Sequence, residues 1–91
     1  MLEKRSFYIN GSWVDPKEQK DIEVINPATE KACAIISLGS KDDVNNAVLA
    51  AKEAFKTWGY STKEERIALL ETFYTLYKKR WNDITDAIIQ E

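Results

Sequence analysis

Apolar residues are spaced differently in the two halves of this chain, and the spacing changes near Gly39. Before Gly39, short apolar runs alternate with polar residues, as they do in strands whose side chains point to alternate faces. After Gly39, apolar residues recur at steps of three and four, which is the spacing of one helix face. The pattern therefore predicts an α+β segment, with a β half followed by a helical half.

The β half, at about residues 6–38, is predicted to contain two short antiparallel β-hairpins. Strand-like residues flank Asn10 and Gly11, a dipeptide that supplies the positive φ angles of a tight hairpin turn. Asn26 and Pro27 make the second turn, because proline fixes its own φ and disfavours helix in the residue before it.

A first helix is predicted at about 41–58. Ser40 and Asp43 form a capping box at its start, which satisfies free amides and suits the positive end of the helix dipole. Gly59 follows the last apolar residue, and we expect it to close the helix in the left-handed conformation.

A second helix is predicted at about 62–91, behind two overlapping capping boxes in residues 61–65. Asn82 and Asp83 mark a place where this helix could divide into two. Because the link between the two helices is short, we expect a helical hairpin. The chain looks cut rather than finished, since no helix-closing residue follows the last apolar position.

Five large rings are predicted on the apolar faces of the two helices, and we call them the aromatic seam: Phe55, Trp58, Tyr74, Tyr77 and Trp81. A folded chain of this size hides only about 60 to 65% of the surface that its unfolded form exposes. A helical hairpin is too narrow to bury such a stripe. We therefore expect the seam to be covered by polypeptide outside this chain.

Composition and charge exclude several classes of partner. The chain is 44% apolar and 31% charged, which is typical of a folded segment, and its net charge of -2 offers no basic excess for nucleic acid or lipid. The basic run at 78–80 lies opposite the rings of Tyr77 and Trp81 and suits a solvated face. We expect no nucleic-acid or membrane partner, and a cytoplasmic location, since one cysteine forms no internal disulfide and no apolar leader opens the chain.

Cys33 is the only cysteine, and the chain contains no histidine. A nucleophilic cysteine needs a histidine, a helix amino-terminus or a positive cluster to stabilise its thiolate. Lys31 alone is a weak activator. We interpret Cys33 as a small packing residue, because free cysteine is commonly buried.

The acidic pairs and the glycines give no catalytic pattern. The pairs at 42–43 and 64–65 lie at predicted helix starts, where negative charge is favourable by itself, and Asp83 with Asp86 forms no further motif. The three glycines are too dispersed to build a phosphate-binding loop.

Four segments resemble the beginning of the aldehyde dehydrogenase superfamily: FYINGSWV at 7–14, VINPATE at 24–30, SKDDV at 40–44 with the alanine-rich run to Trp58, and ERIALL at 65–70. The resemblance covers about residues 6–91 in the family's order and spacing. It implies that residues 1–91 form the amino-terminal segment of the cofactor-binding domain, with hairpins at the surface and helices packed on the nucleotide fold.

Members of this family oxidise aldehydes to carboxylic acids, or to acyl-CoA in some branches, and pass hydride to NAD or NADP. They use a nucleophilic cysteine, a glutamate base and amides that hold the oxyanion, all in later segments. The resemblance therefore implies no catalytic and no cofactor-binding residue in this chain, and Cys33 is not in the nucleophile motif. We predict that the chain alone is inactive and binds no dinucleotide.

The resemblance also implies part of a site for a monovalent cation, K⁺ or Na⁺. Many members hold this ion by backbone carbonyls around the strand before the Asn-Pro turn and by an acidic residue at the end of the second helical stretch. Those positions correspond to Val24, Ile25 and Glu91. Carbonyl oxygens suit a hard cation whatever the side chain. Glu91 stands where aspartate is often found, and a solvated terminal residue is the alternative interpretation.

Two functions remain open at this point. The first is the amino-terminal portion of an NAD(P)-dependent aldehyde dehydrogenase, whose partner is the remainder of the enzyme domain. The alternative is a truncated paralogue acting as a non-catalytic interaction module, which binds an aldehyde dehydrogenase or another copy of itself.

Overall fold

The computed structural model describes all 91 residues and contains five strands followed by three helices. The strands are β1 (Leu2–Lys4), β2 (Phe7–Ile9), β3 (Ser12–Val14), β4 (Asp21–Asn26) and β5 (Lys31–Ser37). The helices are α1 (Lys41–Trp58), α2 (Lys63–Lys79) and α3 (Trp81–Gln90). The predicted α+β class and both antiparallel hairpins are confirmed.

The hairpin of β2 and β3 forms as its turn sequence predicts. Asn10 and Gly11 have φ angles of 54° and 79°, which match the right-handed twist of the strands they join. Tyr8 lies opposite Trp13, and their ring centroids are 5.2 Å apart on the outer face. The other face of β2 packs on α1, where Phe7 and Ile9 line a cavity shared with the helix.

The second sheet has the strand order β1-β5-β4, and its β1 strand was not predicted. β1 pairs in parallel with β5, from Leu2 opposite Ala34 to Lys4 opposite Ile36. Arg5 Nε donates a hydrogen bond of 2.9 Å to Asp21 of β4, and this bond raises the pKa of the guanidinium. A three-residue strand paired with a distant one carries too little local pattern to be recognised in a sequence.

Helix α1 begins as predicted and ends differently. Ser40 and Asp43 form the complete capping box. Gly59 does not take the predicted left-handed conformation, because its φ and ψ are -59° and -21°. Glycine is favoured at position 59 for steric reasons, because a Cβ there would lie 2.7 Å from the Phe55 carbonyl oxygen and 3.0 Å from the Phe55 ring.

The predicted second helix, 62–91, is two helices that divide at Arg80, two residues before the predicted place. Arg80 leaves the helical region with φ -106° and ψ 18°, and its amide still donates to carbonyls of the preceding turn. Asp83 falls in the first turn of α3, where negative charge suits the dipole. Of the two predicted capping boxes, only the Thr62 cap forms, as its hydroxyl accepts from the Glu65 amide at 3.1 Å.

The chain has no buried apolar residue. Helix α1 packs mainly against β2, and α2 packs mainly against α3. The predicted helical hairpin is therefore open between α1 and α2. The radius of gyration is 16.9 Å, against about 12 Å for a compact domain of this length. The elements thus form a spread surface rather than a closed core.

Candidate functional site

Cys33 lies at a β-bulge in the middle of β5. Val24 pairs with Ala34 and Ile25 with Ala32, so Cys33 is the residue without a partner on β4. Its side chain is half-buried, and its Sγ donates to the Val24 carbonyl at 3.4 Å. The thiol thus forms a hydrogen bond inside an irregular ladder.

The same sulfur atom connects the two ends of the predicted cation site. Besides the Val24 carbonyl, Cys33 Sγ lies 3.9 Å from the Gln90 carbonyl at the end of α3. The structure therefore brings the last turn of α3, next to Glu91, close to the bulge between Val24 and Ile25. Only the family resemblance indicated this proximity, because no local pattern connects Cys33 and Gln90, which are 57 positions apart.

The acidic pair at the start of α1 divides into one exposed and one buried carboxylate. Asp43 is 6% exposed and accepts from the backbone amides of Ser40, at 2.9 Å, and Lys17, at 3.0 Å. These hydrogen bonds, that of Ser40 first, lower the pKa of Asp43 from 3.8. Asp43 therefore fastens the loop before β4 to α1. The sequence predicts the cap at Ser40 but carries no signal for the contact with Lys17.

The first residue of the basic run, Lys78, and the neighbouring rings form a groove on α2 and α3. Phe73, Tyr74, Tyr77, Lys78 and Trp81 line it. Lys78 Nζ lies 4.7 Å from the centroid of the Tyr74 ring, a cation–π geometry. Lys78 thus lies beside the rings rather than opposite them. The prediction that the basic run lies on the face opposite the aromatic rings is therefore wrong for Lys78. The spacing of four residues between Tyr74 and Lys78 is the signal that could have found it.

The aromatic seam is exposed along its whole length. The exposed fractions of its five rings range from 37% for Tyr77 to 68% for Phe55. Phe55 and Trp58 lie on α1, which has no extended contact with α2, so the seam is two separate patches. Every ring of both patches remains more than a third exposed.

No group of three or more His, Cys, Asp or Glu side chains is placed to hold a metal ion. The acidic pairs at 64–65 and at 83 and 86 therefore do not join into a cluster. None of the three helices is both long and apolar enough to cross a membrane.

Sequence comparison connects the whole chain with one family. The model of the aldehyde dehydrogenase family matches residues 13–91. Over all 91 residues the chain is 44% identical to the 3-succinoylsemialdehyde-pyridine dehydrogenase of a Pseudomonas species. It covers 19% of that enzyme's length.

Solved structures contain the same arrangement of elements. The chain matches an aldehyde dehydrogenase of Bartonella henselae with a TM-score of 0.97 and 48% identity, over 99% of this chain and 19% of that one. It also matches a protein of Sinorhizobium meliloti, provisionally named methylmalonate-semialdehyde dehydrogenase and solved with NAD. That match has a TM-score of 0.90 and 26% identity, and covers 18% of that chain.

Proposed function

This chain belongs to the aldehyde dehydrogenase family, and we propose that it is the amino-terminal portion of an NAD(P)-dependent enzyme that oxidises an aldehyde to a carboxylic acid. One observation carries the proposal. The chain superimposes on the Bartonella henselae enzyme with a TM-score of 0.97 over 99% of its own length but 19% of the enzyme's. Its spread shape and exposed apolar faces suit a segment that packs within a larger body.

The chemistry belongs to polypeptide beyond this segment. Cys33 is engaged with the Val24 carbonyl in a sheet, and no histidine is available to activate it. Gly11, Gly39 and Gly59 do not share a turn, so they do not form a phosphate-binding loop for a dinucleotide. The NAD of the Sinorhizobium meliloti structure supports NAD or NADP for the complete enzyme. The single cysteine suits a reducing cytoplasm.

A chimera tests this function. We replace the equivalent segment of the Bartonella henselae enzyme with residues 1–91 and measure NADH or NADPH formed from an aldehyde. We expect the chimera to fold and turn over, because the two segments share 48% identity and one backbone arrangement. The 91-residue chain alone and the host enzyme without the segment are the controls, and both should form none. A folded but inactive chimera, or turnover by the free chain, contradicts the proposal.

We further propose that Val24, Ile25 and Glu91 contribute to a monovalent cation site of the complete fold. The contacts of one sulfur atom with the Val24 and Gln90 carbonyls support this, because they bring both ends of the site together. Backbone carbonyls and a carboxylate are the oxygen ligands that K⁺ or Na⁺ takes. In the same chimera, unfolding temperature in KCl and NaCl against choline chloride is the readout, and Glu91→Gln should reduce the difference.

A non-catalytic interaction module is the second candidate function. The exposed seam favours it, since exposed apolar patches mark binding surfaces. Thermal unfolding and sedimentation of the free chain distinguish the two candidates. A cooperative transition with a defined dimer or complex supports the module, whereas aggregation or non-cooperative melting supports a segment of an enzyme.

A further inference from the structure

We propose that Cys33 is a positioning residue of the candidate cation site. In this role its thiol holds the Val24 carbonyl close to the carboxyl end of α3, where Glu91 follows. Cys33 is then neither a ligand of the ion nor a nucleophile. The inference rests on the proposed function and deepens the cation proposal made there, because it adds a residue that the resemblance does not assign.

The Cys33 sulfur atom is within hydrogen-bond reach of two carbonyls from distant parts of the chain. It lies 3.4 Å from the Val24 oxygen on β4 and 3.9 Å from the Gln90 oxygen at the end of α3. A thiol group carries one proton, so it donates to one carbonyl at a time, and the shorter distance favours Val24. The contact with Gln90 is the only side-chain hydrogen bond that joins α3 to the β half.

The β-bulge gives the thiol its access to both carbonyls. Cys33 is the extra residue of β5, opposite the register shift between Val24 and Ile25. Bulges commonly re-aim a side chain next to a functional site. Beyond the bulge the pairing is regular, with Ile35 opposite Glu23. The irregularity therefore brings this one side chain to the carbonyl of a predicted ligand.

The end of α3 presents negative charge at the same place. The last carbonyls of a helix have no intrahelical partners, and the aligned peptide dipoles give that end a partial negative charge. Gln90 is the last residue of α3, no basic residue lies in its last turn, and Glu91 follows. Carbonyl and carboxylate oxygens fit a hard cation such as K⁺ or Na⁺, whereas a soft sulfur atom does not. The oxygen atoms thus suit the ion, and the sulfur suits a supporting role.

Removing the sulfur atom should therefore affect ion binding more than folding. Without Sγ, the Val24 carbonyl and the end of α3 are free to separate, and a bound ion alone must hold them together. The affinity for K⁺ should fall as a result. A residue that only fills space would instead change stability equally with and without K⁺.

The test measures K⁺ binding by the chimera with the Bartonella henselae enzyme. KCl replaces choline chloride at constant ionic strength, and the readout is the KCl concentration that gives half of the rise in unfolding temperature. Cys33→Ala should raise this concentration about threefold, which is the lower range for losing one hydrogen bond, because a thiol is a weak donor. Cys33→Ser should stay within about twofold of the parent, since a hydroxyl group also donates.

Two further variants serve as controls. Ile35→Val trims another half-buried side chain of β5 and should leave the half-effect concentration unchanged. In a Glu91→Gln background, Cys33→Ala should add little, because both substitutions act on the same site.

Other outcomes overturn the inference. If Cys33→Ala lowers the unfolding temperature equally in both salts, Cys33 is a packing residue. If Cys33→Ser behaves like Cys33→Ala, the hydrogen bond has no role. A parent chimera that turns over aldehyde but does not respond to KCl removes the cation site and the role of Cys33, and leaves the proposed function intact. A folded, inactive chimera that responds to KCl contradicts the proposed function alone, because its response still reports on Cys33.

Discussion

The β half with the start of α1 and the helical pair α2–α3 are held by different interactions. The first region contains both buried residues of the chain, Ser37 and Asp43, and several of its hydrogen bonds join positions far apart in sequence. The second region contains no buried residue, and its side-chain hydrogen bonds span five residues or fewer, apart from the contact of Cys33 with Gln90. Helix α3 has 10 residues, which is below the about 12 to 15 residues under which isolated helices are marginal in water. The second region thus depends more on a partner than the first does.

A proline in α2 is the strongest way to separate the two regions. Leu69→Pro removes a helical hydrogen bond and clashes with the preceding turn, at a cost of about 3 kcal/mol. We expect α2 to melt while the amides of β4 and β5 keep their protection from hydrogen exchange. Circular dichroism and exchange measured by NMR provide the readouts, with Leu69→Ala as the control. Loss of protection in the sheet would show that the two regions fold together.

Gly59 follows α1 and connects the two regions. Adding a methyl group at this residue tests how tightly the end of α1 is packed. Gly59→Ala places a Cβ against the Phe55 carbonyl oxygen and ring, and overpacking of this kind costs about 1 to 3 kcal/mol. We expect lower thermal stability of α1, although alanine favours helices in general. Gly39→Ala is the matched control, because its Cβ would meet only the Phe7 ring at 3.8 Å. Equal behaviour of the two variants would contradict the space argument.

Lowering the pH should destabilise the first region before the second. We expect this to be the smallest of the three effects on stability. The pKa of Asp43 is lower in the folded chain than its ordinary value of 3.8. Its contribution to stability is therefore fully present above that value and is lost as the pH falls below it toward the folded pKa. The protection of the Lys17 and Ser40 amides, measured by NMR as their exchange relative to the intrinsic rate at each pH, should fall as the pH is lowered from 5. Asp43→Asn should flatten this dependence, and an unchanged profile would remove the role of the carboxylate.

Local signals in the sequence predict much of this fold, and contacts between distant residues account for what they miss. The sequence predicts the turn at Asn10 and Gly11 and the cap at Ser40, because both depend on interactions between residues close in sequence. The parallel pairing of β1 with β5 depends on residues about thirty positions apart. The same holds for the candidate cation site, whose two ends meet only through the fold.

The conformation of Gly59 and the position of Arg80 show a second limit. Both residues lie at helix ends, where a glycine or a charged residue is compatible with several backbone conformations. A sequence pattern predicts that a helix ends there, but the neighbouring atoms decide how it ends.

The bulge at Cys33 changes which side of the sheet the side chains of β5 face on either side of it. Because Val24 faces Ala34 and Ile25 faces Ala32, the two alanines point to opposite sides of the sheet although they are two residues apart. Substituting Cys33 keeps that inversion, whereas deleting it would turn every side chain on one flank of the strand through to the other side. The number of residues in β5 at this point is therefore more important for the sheet than the thiol of Cys33.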